Sequence, residues 1–102
     1  MTIAAHVPNL FDRSRFDGRA TFVETPEEAR ALGPALLFVD IDRCDDLAGF
    51  CIEGTRVIGF GPHVDSTGHR KAVEAGYDEV LPRSVFFKRL PDLLDTTNAQ
   101  SA

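Results

Sequence analysis

The hydrophobic residues of this chain fall into short runs, and the two longest runs contain almost no polar side chain. Residues 35–39 are apolar up to Asp40, and residues 57–60 repeat the pattern. Strands buried on both faces of a parallel sheet have this composition. Three other largely apolar segments predict further strands at residues 3–7, 20–23 and 79–81.

Helices are predicted between these strands from capping residues and from the spacing of apolar positions. Thr25, Pro26 and Glu28 form a helix start in which threonine caps, proline occupies the first position and glutamate completes a capping box. Gly33 ends that helix. Pro91 is expected to kink or restart the last helix. The other helices are predicted over residues 8–18, 45–52, 65–75 and 84–94.

Strands that alternate with helices predict a parallel α/β sheet covered by helices on both faces. Right-handed crossovers and short connections favour a single three-layer, flavodoxin-like domain of five strands in the order 2-1-3-4-5. The chain has 102 residues, the size of one domain. We assign residues 1–95 to this domain. Residues 96–102 are small and polar and are expected to form a flexible C-terminal tail.

Charge and composition exclude several functional classes. The formal net charge of −5 disfavours contact with a phosphate backbone, so nucleic acid is not expected as a partner. No apolar run approaches the roughly 20 residues of a membrane helix. The N-terminal residues lack the basic region and apolar core of a signal peptide. We therefore expect a cytoplasmic protein that has no membrane contact.

Cys44 and Cys51 are expected to be reduced thiols. If both lie on one helix, the rise per residue separates their backbones by about 10 Å, which is too far for a disulfide. Together with His63 and His69 they match no common zinc spacing, so no structural metal is expected. Ser66 and His69 likewise make a weak nucleophilic pair. No catalytic residue and no enzymatic activity are predicted.

Over residues 3–94 the chain resembles the receiver domain of bacterial response regulators. Leu36-Leu37-Phe38-Val39-Asp40 is similar to the third strand of that family with its phospho-accepting acid. Residues 72–81, in which Ala75-Gly76 precedes Asp78 and a short strand, are similar to its fourth helix and fifth strand. The resemblance implies a signalling role, with Asp40 as the candidate phospho-acceptor.

Three other parts of the family's phosphorylation machinery are replaced in this chain. The two acids that help to hold Mg²⁺ after the first strand correspond to His6-Val7-Pro8, and a neutral imidazole is a poor Mg²⁺ ligand. The hydroxyl residue after the fourth strand corresponds to Gly61 or Pro62. The lysine after the fifth strand corresponds to Pro82, which Arg83 follows. We interpret the chain as a pseudo-receiver that keeps the fold for phosphorylation-independent protein binding.

Two alternatives stay open. In the first, the protein is a single-domain response regulator that is phosphorylated on Asp40 and uses Mg²⁺, with Asp42 or Asp12 as a substitute metal ligand. If Asp40 is not phosphorylated, we expect its side chain to cap the next helix or to bond to nearby backbone. In the second, the loop from Gly61 to Ser66 senses an anion or small ligand, because a helix start offers free backbone N–H groups. The candidates for that loop site are Gly61, His63, Ser66 and Arg83.

An interaction face is predicted around the last helix. Phe86 and Phe87 are adjacent and point about 100° apart on a helix, so only one of them can face the sheet squarely. In receiver domains the face formed by helix four, strand five and helix five commonly contacts partners, and Tyr77 and Arg83 would lie near it. We expect a protein partner of unknown identity or a homodimer through this face. The opposite reading is that the core covers both rings.

Overall fold

The structure is a computed structural model that describes the backbone of residues 2–62 and 67–101, with side chains up to Asp95. Five parallel strands form a single sheet in the order β2-β1-β3-β4-β5. This arrangement confirms the predicted flavodoxin-like topology. The strands are β1 (Ile3–His6), β2 (Thr21–Phe22), β3 (Leu36–Asp40), β4 (Arg56–Gly61) and β5 (Glu79–Pro82).

Within the described residues, three α-helices and two short 3₁₀ turns connect the strands, and a fourth α-helix follows β5. The helices are α1 (Leu10–Ser14), α2 (Pro26–Leu32), α3 (Thr67–Ala75) and α4 (Arg83–Ser101). The two 3₁₀ turns, Ile41–Arg43 and Ala48–Phe50, follow β3. The start of the helix predicted over residues 65–75, at Asp65 and Ser66, lies outside the described residues.

The α-helix predicted over residues 45–52 is wrong, and a 3₁₀ turn stands in its place. Short acidic side chains bond to the backbone here instead of leaving it to an α-helical ladder. The Asp46 carboxylate accepts a hydrogen bond from the Gly49 N–H at 2.9 Å. Cys44 and Cys51 therefore do not share a helix. Both are free, half-buried thiols, and burial raises the pKa of each.

The capping signals in the sequence act largely as predicted. Thr25 Oγ1 accepts from the Glu28 N–H at 3.2 Å, and Pro26 occupies the first turn of α2. The Glu28 carboxylate accepts from the N–H of Glu24 rather than from that of the cap residue. Gly33 ends the helix with φ of 58°, in the left-handed region that glycine tolerates.

Pro91 does not restart the last helix, because α4 is continuous from Arg83 to Ser101. Leu90 on one side of the proline and Leu93 and Leu94 on the other are all buried in the core. This packing holds the helix together where the proline removes a backbone donor. Residues 96–101 are thus helical in backbone, and the flexibility expected of residues 96–102 stays a prediction.

Two hydrophobic clusters lie on opposite faces of the sheet. The first joins the sheet to α4 and to the segment after α1, and the second joins it to α2, α3 and the 3₁₀ turns. Phenylalanine dominates the first cluster, where the Phe60 and Phe86 rings stack with centroids 4.2 Å apart. Among the described residues, no helix combines the length and hydrophobicity that a membrane span requires.

Candidate functional site

The candidate site lies at the carboxyl edge of the sheet, where the strands end side by side. In the strand register His6 pairs with Val39, Asp40 with Phe60 and Gly61 with Pro82. The last residues of β1, β3, β4 and β5 therefore line one edge. Ligand sites of open parallel sheets form at this edge.

Asp40 ends β3 with its side chain almost fully buried, at 3% exposure. One carboxylate oxygen accepts a hydrogen bond from the Asp42 N–H at 3.2 Å and so caps the first 3₁₀ turn. The other lies 3.7 Å from Arg43 Nε. Burial raises the pKa of Asp40, and the Asp42 amide and the Arg43 charge oppose that rise without cancelling it. Asp40 thus has the capping role that was one of the two readings of its sequence position.

Asp12 and Arg83 form an ion pair beside Asp40. Asn9 caps α1 by accepting from the N–H groups of Phe11 and Asp12, which places Asp12 in the first helical turn. The Asp12 side chain is 3% exposed, and both of its oxygens accept hydrogen bonds from the Arg83 guanidinium, one of them at 2.8 Å. These bonds raise the pKa of Arg83. Two-point pairing of this kind is the strongest geometry open to arginine and a carboxylate.

The carboxylates at this edge do not fit the Mg²⁺ ion that receiver chemistry would require. Asp12 is bound at both oxygens by Arg83, and Asp40 is bound by backbone and faces Arg43. Asp42 alone of the three is exposed. Within the described chain, no group of three or more His, Cys, Asp or Glu side chains is arranged to hold a metal ion.

His6, at the position of the family's acidic pair, is built into the fold. Its Nδ1 donates to the Val23 carbonyl at 3.0 Å, and its ring stacks on Phe50 with centroids 4.6 Å apart. The residue is 9% exposed. Because a protonated Nδ1 has no free lone pair, this nitrogen cannot act as a metal ligand.

Gly61 occupies the strand end where the family carries a hydroxyl residue. A Cβ atom added to Gly61 would lie 2.9 Å from Ile41 Cγ1, and one added to Gly59 would lie 2.7 Å from Ile41 Cγ2. Ile41 is itself buried at 5% exposure. The isoleucine therefore fills the space into which a side chain from either glycine would project.

The residues predicted for an anion site are only partly described. Gly61 and Arg83 line one cleft of about 260 Å³, whereas His63 and Ser66 lie outside the described residues. Asp40, the predicted phospho-acceptor, and Asp42, the other weak metal candidate, both line this cleft, whereas Asp12 does not. Its full lining is Asn9, Asp40, Asp42, Arg43, Gly61, Pro62 and Arg83.

The four residues predicted for the interaction face are not brought together on one surface. Tyr77 is 7% exposed in the second hydrophobic cluster, and its hydroxyl donates to the Leu47 carbonyl at 2.9 Å. Phe86 is fully buried in the first cluster, on the opposite face of the sheet. Phe87 and Arg83 are only partly buried. Of these four residues, only Phe87 and Arg83 remain candidates for contact with a partner at the surface.

The pairing of Asp12 with Arg83, which lie 71 residues apart, was not predicted from the sequence. Asp12 was expected as a substitute metal ligand and Arg83 as a donor to an anion. The available signal was that an acid follows a capping asparagine in α1, while a base opens α4 at the adjoining edge of the sheet. The contact of Arg15 with the Phe87 ring was missed as well.

Comparisons with solved structures identify the fold. The response regulator domain of Thermotoga maritima CheB superposes with a TM-score of 0.70 over 97% of this chain and 94% of that chain, at 17% sequence identity. A protein described as CpaE2, a pilus assembly protein of Sinorhizobium meliloti 1021, gives 0.55 over 96% of this chain and 98% of that chain, at 22% identity. No protein-family model matches the sequence, and no curated protein matches it significantly. The protein has the receiver fold, as the resemblance implied.

Proposed function

We propose that this protein is a receiver-like signalling or regulatory module, a pseudo-receiver that binds a partner protein without being phosphorylated. The proposal includes no enzymatic activity and no cofactor. It places the protein in the cytoplasm of a bacterium, in keeping with the receiver fold. A homodimer is one form that the recognition can take.

The observation that carries the proposal is that the two buried carboxylates at the carboxyl edge, Asp40 and Asp12, already face Arg43 and Arg83. Arg83, which follows the position of the family's lysine, is bound to Asp12. A phosphoryl group on Asp40 would have to compete with Asp12 for Arg83, because two of the five N–H donors of the guanidinium already bond to that buried carboxylate. Removing the partner of a buried charge is strongly destabilising. Gly61 itself has no hydroxyl to meet a phosphoryl group, and Ile41 fills the space beside it.

The test is treatment with a small phosphodonor and Mg²⁺, followed by intact-mass spectrometry. An ordinary receiver domain treated in parallel shows that the donor is active. We expect no added phosphoryl mass on the wild-type protein. A phosphoryl mass that disappears in Asp40→Ala but persists in Asp42→Ala would contradict the proposal and make Asp40 a phosphorylation site.

A further inference from the structure

A second groove, which shares Arg83 with the cleft at Asp40, lies between the end of α1 and the first turns of α4. It encloses about 480 Å³ and is lined by Arg15, Arg83, Ser84, Phe87 and Lys88. We call it the Phe87 groove. The Arg15 guanidinium lies 4.6 Å from the centroid of the Phe87 ring, and the Arg83 guanidinium lies 4.9 Å from it. The groove therefore combines an aromatic wall with three cationic side chains.

The aromatic wall and one cation are held in place by the fold. The Phe87 ring packs edge-on against Phe86 and Phe60, with centroid distances of 5.0 and 5.3 Å. Arg83 is fixed by its two hydrogen bonds to Asp12. Because these side chains are ordered before any partner arrives, binding costs less conformational entropy.

The groove concentrates positive charge on a chain whose net charge is −5. Arg15 has no carboxylate partner among the described residues, and both Arg15 and Lys88 are exposed. Arginine and aromatic residues are the types most enriched where proteins bind one another tightly. The local charge favours an acidic occupant, and the net charge disfavours nucleic acid.

We infer that the Phe87 groove binds an acidic segment of a partner protein, with carboxylates against Arg15 and Lys88 and an apolar side chain against Phe87. This inference rests on the proposed function, since it names the surface and the partner chemistry through which the module would act. It differs from the predicted interaction face in that neither Tyr77 nor Phe86 contributes.

The test uses a short fluorescent peptide of alternating glutamate and leucine, with fluorescence anisotropy as the readout. A second peptide carries glutamine in place of glutamate, and a single-stranded oligonucleotide serves as the nucleic-acid probe. The variants are Arg15→Glu and Lys88→Glu. Arg70→Glu, an exposed charge reversal on α3, is the matched control because it changes the net charge equally. Thermal unfolding confirms that each variant is folded.

We expect the glutamate peptide to bind and each groove variant to weaken that binding about five- to tenfold, the size expected when a partly exposed charge pair becomes a repulsion. High salt should weaken binding by screening. Arg70→Glu should bind as wild type does. The inference is overturned if the glutamate peptide does not bind, if the glutamine peptide binds equally well, if Arg70→Glu loses as much affinity, or if the oligonucleotide binds more tightly.

The two proposals can fail separately. A phosphoryl mass on Asp40 would overturn the pseudo-receiver proposal whatever the peptide does. Loss of the peptide result with no phosphoryl mass would overturn the groove alone.

Discussion

Separating Asp12 from Arg83 should destabilise the fold by more than an ordinary surface ion pair would. The Asp12 side chain is 3% exposed and the Arg83 side chain is 43% exposed. The pair is therefore intermediate between a surface ion pair and a fully buried one. Exposed pairs contribute about 0.2–1 kcal/mol. Breaking a fully buried pair by removing one partner costs about 3–5 kcal/mol. Allowing for solvent screening of the half-exposed guanidinium, we expect Arg83→Gln to cost about 2–3 kcal/mol, because it leaves a buried carboxylate without its cation.

A double-mutant cycle isolates the interaction from the side effects of each substitution. The free energy of unfolding in urea is measured for wild type, Asp12→Asn, Arg83→Gln and the double variant. We expect a coupling free energy of about 1–2 kcal/mol, with the double variant more stable than Arg83→Gln alone. A coupling free energy below about 0.5 kcal/mol would contradict this prediction, since it would mean that the Asp12 and Arg83 charges hardly stabilise each other.

Three further predictions concern Asp40 and two contacts in the second hydrophobic cluster, which contains Ile41 and Tyr77. Gly59→Ala should lower the free energy of unfolding by about 1–3 kcal/mol, because the new methyl group meets Ile41 at 2.7 Å and the Tyr77 ring at 3.0 Å; an unchanged urea midpoint would contradict this packing. Asp40→Asn should be more stable than wild type at neutral pH. The raised pKa means that the native state binds the Asp40 proton more tightly than the unfolded state does, so wild-type stability falls as pH rises from about 3.8 through the raised pKa. The extra stability of Asp40→Asn over wild type should vanish below pH 3.8. A stability difference that grows on acidification would contradict the raised pKa of Asp40. Tyr77→Phe should cost about 0.5–1.5 kcal/mol in thermal unfolding through the lost bond to the Leu47 carbonyl, and no loss would mean that the bond is not formed.

The fold could be predicted from the sequence because its determinants are local. The apolar runs of β3 and β4 identify buried parallel strands, and Thr25, Pro26 and Gly33 mark the ends of α2. Short connections then leave few possible strand orders. For the segment after β3, the predicted helix over residues 45–52 was wrong. Side-chain hydrogen bonds such as that from the Gly49 N–H to Asp46 compete with helical ones, and which of them forms depends on three-dimensional geometry that the sequence pattern does not give.

The candidate site was predicted only in part, because its pairings are between distant parts of the chain. The position of Asp40 at a strand end followed from the strand pattern alone. Its neighbours could not be named in the same way, since Asp12 and Arg83 meet only after α1 and α4 have packed on the same face of the sheet. The prediction that all four residues of the interaction face share one surface was wrong for a related reason. Tyr77 and Phe86 are close in sequence but lie in clusters on opposite faces of the sheet.

The response to a phosphoryl mimic is the sharpest test of the proposal that this protein is a pseudo-receiver. Amide ¹H–¹⁵N correlation spectra are recorded with Mg²⁺ alone and then with Mg²⁺ and fluoroberyllate, with an ordinary receiver domain as the positive control. We expect fluoroberyllate to cause no spectral change beyond that of Mg²⁺, because Arg83 is already bound to Asp12 and Asp40 to the Asp42 amide. Saturable shifts along the carboxyl ends of β3, β4 and β5 that are absent in Asp40→Asn would contradict that proposal.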